Sequence, residues 1–289
     1  MNKKYKINIH IIEACNYKCK HCFAKFDSKQ ILPIEQWKKV VDNIIDSINV
    51  SEFNIAGGEP LLYRDLLKLV QHIKEKECKC SIISNGSLMT NEWIELYAKY
   101  FDTIGLSIDS LIPDTLYMLG RIDKNQSFIT VDRLKEICDL IKKINPKCKI
   151  KINTVVSQYN KNENLYEMMK HLKIDRWKII KMRQFDDGTT NNTYLAVSRE
   201  EFNEFILNNI GILTPISHDQ SYVCEIDGLN IVIEEDLEGG YLIVDSNGYL
   251  IDNTNTMKHK VVANLIDKKN IDLLLCSNFN QKLYESRYK

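Results

Sequence analysis

Apolar and polar positions alternate with two different periods along the first two thirds of the chain, and the switches between periods mark out its elements. Ile7, Ile9 and Ile11 alternate with Asn8 and His10, a period-two strand that ends just before a group of cysteines. Behind Pro33, Val40, Val41, Ile44, Ile45 and Ile48 recur at helical spacing. Pro33 suits a helix start because its missing N–H would have no intrahelical partner there. A short strand over 53–55, the turn Gly57-Gly58-Glu59-Pro60 and a helix over 61–76 follow. The unit then repeats. Strands are predicted over 79–84, 103–108, 149–156 and 177–182, with helices through Trp93 and Leu96, over 114–119, 128–144 and 165–172, and finally over 198–210. Alternating βα units predict a parallel sheet of the α/β class. Six such units predict a partial (β/α)6 TIM-like barrel, two units short of the full eight.

After Gly211 the pattern changes. Short strands are predicted over 222–226 and 231–235, and 241–245 with 249–251 reads as a hairpin around Ser246-Asn247-Gly248. A helical tail is expected from about Ile271. The division is therefore a barrel over 1–210 and a small α+β extension over 211–289 that covers one end of it.

Composition narrows the classes of partner. Lys and Arg number 39 and so do Asp and Glu, giving a formal net charge of zero. A protein that coats nucleic acid or an anionic membrane runs on excess cations, so neither partner is expected. The first twelve residues lack a continuous apolar stretch and a small-residue cleavage site, and no segment reaches bilayer length. A cytoplasmic protein is expected. Nine cysteines are the oddity: Cys15, Cys19 and Cys22 fall together, whereas Cys78, Cys80, Cys138, Cys148, Cys224 and Cys276 are scattered. An odd number without a secretory signal points to metal or redox chemistry in a reducing compartment, with the scattered thiols packed as small apolar residues.

Cys15-Asn-Tyr-Lys-Cys19-Lys-His-Cys22 is C-x3-C-x2-C in the loop after the first strand. Three thiolates on so short a loop can each hold one iron of a [4Fe–4S] cluster and leave the fourth open to a ligand. A zinc site of the three cysteines with His10 or His21 is the alternative, although zinc motifs usually bring two separated ligand pairs. The motif resembles that of the radical S-adenosylmethionine (SAM) superfamily, in which the open iron chelates SAM through its amino and carboxylate groups. His21 stands where that superfamily commonly has an aromatic residue. The resemblance extends to Gly57-Gly58-Glu59-Pro60, similar to a segment that contacts the SAM amino group. It implies Asn85, Ser107 and Arg121 as neighbours of the SAM ribose and carboxylate.

The fifth and sixth strands carry a further clue. Alternation puts Lys149, Lys151 and Asn153 on one face of the fifth strand, and Arg176 and Lys178 on one face of the sixth. Bulky apolar residues on the opposite faces should pack on the outer helices, turning Lys151, Asn153, Arg176 and Lys178 into the lumen. Desolvated cations need partners, and no matching set of acids is evident on the neighbouring strands, apart from Glu59. A triphosphate would match three cations. The alternative is that they are solvated charges at strand ends.

With these residues the chain resembles the viperin-like enzymes over most of its length. The matching stretches are Ile7-Asn-Ile-His10, Cys15-Asn-Tyr-Lys-Cys19, Leu32-Pro33, the Gly-Gly-Glu-Pro turn, Ser81-Ile-Ile-Ser-Asn-Gly-Ser-Leu88, Lys151-Ile-Asn153, Arg176-Trp177-Lys178, Glu201-Phe202 and Tyr241-Leu242-Ile243, running to Asp245. The resemblance implies a nucleoside triphosphate held beside SAM, with Lys151, Arg176 and Lys178 on its phosphates and Asn8 and Asn85 near its sugar. Tyr241 matches a tyrosine proposed as a hydrogen donor. In that family a 5′-deoxyadenosyl radical abstracts H4′, and loss of the 3′-hydroxyl as water, followed by one electron and a proton, gives a 3′-deoxy-3′,4′-didehydro nucleotide, a chain terminator used in antiviral defence. An electron donor is implied as a partner.

Two departures fall near the family's substrate: Ala56 replaces a Ser before the Gly-Gly turn, and Glu52 replaces a Lys four residues earlier. The amphipathic membrane anchor of animal members has no counterpart in the stretch before Cys15, so no membrane partner is expected. Two competing readings remain. One is a radical SAM enzyme that modifies a peptide, although only Cys224 and Cys276 lie beyond the barrel to hold auxiliary clusters. The other is a zinc-stabilised binding protein.

Overall fold

The structure is a computed structural model and describes residues 4–26, 28, 30–186, 191–212, 221–235, 239–253, 260–267 and 279–287. Six strands run parallel in chain order: β1 (Tyr5–His10), β2 (Val50–Ala56), β3 (Lys79–Ser84), β4 (Thr103–Ser107), β5 (Lys149–Val156) and β6 (Arg176–Lys181). Between them lie α1 (Ile34–Ser47), α2 (Leu66–Glu75), α3 (Asn91–Tyr97), α4 (Pro113–Leu119), α5 (Val131–Ile144) and α6 (Tyr166–Met169), and α7 (Arg199–Ile210) follows β6. The α/β class and the partial barrel follow from the strand order and the intervening helices.

The two faces of each strand separate as period-two sequence demands. Ile150, Ile152, Trp177 and Ile179 are fully buried under the helices, while Lys151, Asn153, Arg176 and Lys178 take the other face and line the lumen. Helix α1 buries Trp37, Val40, Val41 and Ile44 on a single stripe. Each such large side chain contributes roughly 1.5–3 kcal/mol when removed from water. Trp177 buries its indole N–H as well, and donates it to Thr154 Oγ1 at 2.9 Å, so the strand pair carries no orphaned donor there.

The remaining described strands are β7 (Tyr222–Ile226), β8 (Leu229–Glu234), β9 (Ile243–Val244), β10 (Tyr249–Asp252) and β11 (Lys260–Asn264). They extend the same sheet on both sides, in the order β11-β10-β9-β1-β2-β3-β4-β5-β6-β8-β7. β8 runs parallel to β6 and β9 parallel to β1. This edge-by-edge placement puts Glu234 and Tyr241 beside the lumen and was not legible from local pattern.

Several boundaries moved. The helix expected over 61–76 begins as a 3-10 turn, Pro60–Leu62, before α2. The helix expected over 165–172 shortens to α6. The first part of the expected helical tail lies outside the described residues, but Gln281–Arg287 is helical. Tyr284 in that helix accepts a 2.5 Å hydrogen bond from the Lys6 backbone N–H. β11 was not predicted, because Lys-Val-Val-Ala-Asn lacks alternation and Val261 is exposed on an edge.

Candidate active site

The carboxyl ends of the strands and the lumen between them bound a cavity of about 1440 Å³. Every site residue expected from the sequence lines it except Glu59. The cysteine loop forms one wall. Its three thiols are free, with Cys15 exposed and Cys19 and Cys22 half-buried.

The backbone of that loop is pinned to the end of α4: Lys18 N donates to Gly120 O at 3.2 Å and Lys20 N to Leu119 O at 2.9 Å. Gly120 is in the left-handed region, with φ of 71°, and a Cβ there would meet Lys18 O at 2.3 Å. Only glycine satisfies both the turn and the approach. Donors already point at sulfur: Tyr17 N lies 3.4 Å from Cys15 Sγ, Asn85 Nδ2 3.9 Å from the same atom, and Arg121 Nη1 3.6 Å from Cys19 Sγ. Burial pushes all three thiols up, Cys22 to about 12. A metal centre must therefore take their protons as it binds.

The Gly57-Gly58 turn is built for contact with the same loop. Gly58 N donates to Ile12 O at 2.6 Å and Glu59 N to Ala14 O at 2.9 Å. A Cβ on Gly58 would meet Glu13 O at 2.2 Å and Ala14 O at 2.3 Å. The Glu59 side chain turns away from the cavity and is fully buried. Its carboxylate accepts from Ser84 Oγ at 2.7 Å and from the Asn85 backbone N–H at 2.8 Å, which fixes the end of β3. Burial pushes its carboxyl upward against those hydrogen bonds. Asn85 in turn donates to Asn16 Oδ1 at 2.9 Å and accepts from Ser87 Oγ at 2.6 Å, so β3 and the cysteine loop are stitched together.

Sequence reasoning missed Asp109. It is 1% exposed and lies 3.0 Å from Arg121 Nη1 and 3.2 Å from His21 Nε2. Burial opposes its charge, but the Arg121 guanidinium and His21 outweigh it and hold the carboxyl below the usual range. Arg121 also donates to the Ser107 carbonyl. This network occupies Nε2 of His21, and His10 packs edge-on against Phe23 and Phe26. Three free thiols with N–H donors on their sulfurs fit a cluster ligated by cysteine alone better than a zinc ion completed by either histidine.

Below the thiols the lumen is cationic, and here an expectation is corrected. Acidic partners are present on neighbouring strands. Lys178 Nζ lies 2.6 Å from Glu234 Oε1, and Lys6 Nζ lies 2.9 Å from Glu52 Oε2. Ser81 Oγ lies 2.7 Å from Glu52 Oε1. Glu234 escaped notice because its place is set by β8 joining β6, a pairing between segments about fifty residues apart. Arg176 donates to Asn230 Oδ1 at 3.1 Å. Lys151 has no hydrogen bond or ion pair among the described residues. Burial, and then the neighbouring Lys178, push its ammonium down to about 7 despite Glu52. Its stem crosses Gly105, where a Cβ would meet Lys151 Cε at 3.2 Å and Ile83 Cδ1 at 2.4 Å.

Asn153 Oδ1 is buried without a hydrogen-bond partner among the described residues, an acceptor available to a ligand. Asn8 accepts from Asn54 Nδ2 at 2.8 Å and donates to Leu242 O at 3.3 Å. Lys151, Arg176, Lys178, Asn153, Asn8 and Tyr241 thus share one cavity with the thiols.

The radical SAM superfamily pattern matches residues 9–176. An S-adenosylmethionine-dependent nucleotide dehydratase of Selenomonas ruminantium is 39% identical over 287 residues, covering 98% of each chain. One from Fibrobacter sp. (strain UWH6) is 32% identical over 99% of this chain and 89% of its own. Streptococcus suis SuiB, solved bound to S-adenosylmethionine, shares the fold with a TM-score of 0.66 at 20% identity, over 97% of this chain and 67% of that one. The chain belongs to the radical SAM superfamily and, within it, to the viperin-like S-adenosylmethionine-dependent nucleotide dehydratases.

Proposed function

We propose that this protein dehydrates a ribonucleoside triphosphate, CTP, UTP or GTP, by removal of H4′, loss of the 3′-hydroxyl as water and uptake of one electron and a proton, giving a 3′-deoxy-3′,4′-didehydro nucleotide that terminates viral nucleic-acid chains. The observation that carries this reading is a single cavity that joins three free thiols to Lys151, Arg176, Lys178 and the unpartnered Asn153 Oδ1. The family uses a [4Fe–4S] cluster and SAM. Cys15, Cys19 and Cys22 would hold the cluster, and together with SAM it supplies the hydrogen-abstracting radical when bound.

The backbone of Gly57 and Gly58, with Asn85, Ser107 and Arg121, would receive SAM. Lys151, Arg176 and Lys178 would bind the phosphates, Asn8 and Asn85 would lie near the sugar, and Asn153 would contact the substrate. Fixing the sugar in this way sets which hydrogen meets the radical, since reaction depends on near-contact geometry. Tyr241 would donate a hydrogen late in the reaction. The β-phosphate and γ-phosphate charges would also raise the proton affinity of Lys151 and hold its ammonium charged.

No described helix is long and apolar enough to cross a membrane. A cytoplasmic site of action, an unidentified one-electron donor as partner, and no direct partnership with nucleic acid or membrane complete the proposal.

Anaerobic incubation with SAM, a reductant and each of CTP, UTP, GTP and ATP tests it. At least one nucleotide should stimulate 5′-deoxyadenosine formation and yield a product lighter by one water. No stimulation by any of them would redirect attention to a peptide substrate, and a colourless protein that binds zinc in place of iron would sink the catalytic reading.

A further inference from the structure

Lys178 already has an anionic partner in the resting site. Its ammonium lies 2.6 Å from Glu234 Oε1 and donates to the Tyr241 hydroxyl at 2.6 Å. That hydroxyl donates to Glu234 Oε2 at 2.5 Å. The three side chains come from β6, β8 and the residues just before β9, and together they close a ring. The Lys178 ammonium also lies 5.2 Å from the centroid of the Tyr241 ring, a cation–π approach that favours the same arrangement. Glu234 is 1% exposed. It sits opposite Ile180 in the β6–β8 register, two residues beyond Lys178 on the same face.

We propose that Glu234 is a positioning residue for the nucleotide reaction: it holds Lys178 and Tyr241 as one unit, and it competes with the incoming triphosphate for the Lys178 ammonium. The inference rests on the proposed nucleotide substrate. A buried carboxylate is costly without a cation, so in the resting site Glu234 and Lys178 hold each other in place. A triphosphate carries several negative charges and displaces a single carboxylate from the ammonium through charge-assisted hydrogen bonds. The phenol keeps Glu234 as its acceptor, so Tyr241 stays anchored to β8 as Lys178 turns to the phosphate. Glu234 therefore has two effects of opposite sign. Its charge weakens nucleotide binding, and its hold on Tyr241 raises the fraction of hydrogen abstractions that end in product.

The test uses the cluster-loaded protein and whichever of CTP, UTP, GTP and ATP the wild type binds most tightly. Glu234→Gln keeps the shape and removes the charge. Calorimetry should show that nucleotide binding roughly tenfold tighter, a shift of about 1.4 kcal/mol, while product formed per 5′-deoxyadenosine falls. In the Tyr241→Phe background the same substitution should bring no further fall in that ratio, because Glu234 acts on it through the phenol. Unchanged or weaker binding, or an additive loss in the double variant, overturns the proposal.

Glu234→Asp keeps the charge but shortens the reach. It should bind the nucleotide as the wild type does and give a lower product ratio, and it decides the matter if Glu234→Gln does not fold. A wild type that neither binds nucleotides nor responds to them would sink the functional reading itself. A responsive wild type whose Glu234 variants match it in both measurements would sink this inference alone.

Discussion

Lys151 shows how much a single residue carries at this site. Its inward direction followed from alternation in Lys149–Val156, but its electrostatic state did not, because that state depends on Lys178, Arg176, Glu52 and Glu234 arriving from β6, β2 and β8. Its ammonium is depressed from the ordinary lysine range to about 7, so in the free protein it is charged below that pH and neutral above it. Triphosphate binding favours the charged form. Nucleotide affinity should therefore weaken as pH rises above about 7, by up to about tenfold per unit while a proton must be taken up. Lys151→Gln should weaken binding and flatten that dependence, as measured by nucleotide titrations between pH 6 and 9. That the three cysteines share one wall of the cavity was legible, because their spacing puts them on one short loop. The roles of Asp109 and Glu234 were not, since an acid at a strand end carries no local sign of the cation it will meet.

Elements position the chemistry through glycines and caps. Helix α4 was legible as a helix over 114–119, yet its task is to present Gly120 and Arg121 to the cysteine loop. Gly120→Ala introduces a Cβ at 2.3 Å from Lys18 O in a left-handed conformation. It should destabilise the protein by more than about 1 kcal/mol and lower iron bound per chain after anaerobic reconstitution, read by thermal melting and metal analysis together. Helix α7 offers the contrast. Its Ser198–Glu201 capping box, visible in Ser-Arg-Glu-Glu, is satisfied on both sides, and Ser198→Ala should cost about 1 kcal/mol without change in iron content. The short α6 was over-read because four apolar residues at helical spacing do not fix where a helix stops.

Across the whole molecule, the first six strands were readable in order because each pairs with the next one in sequence. Four of the strands after residue 210 were located in the sequence, but their place in the sheet was not, since β8 and β9 dock on opposite edges, far from each other in the sheet but close in the chain. That arrangement makes the lumen a joint product of both portions: Glu234 and Tyr241 complete a wall begun by Lys178. Chemical denaturation followed separately by tryptophan fluorescence and circular dichroism should give one coincident transition, and two separated transitions would show portions that fold independently.

Zero net charge over the chain coexists with cations turned into the lumen, and under the proposed function a triphosphate held there would present its C4′ hydrogen for abstraction. The most direct measurement is anaerobic turnover with a ribonucleoside triphosphate deuterated at C4′, followed by mass analysis of the 5′-deoxyadenosine. One deuterium should be transferred to 5′-deoxyadenosine, together with formation of a nucleotide lighter by water. 5′-Deoxyadenosine free of deuterium, with the label still in unchanged nucleotide, would contradict the proposed function.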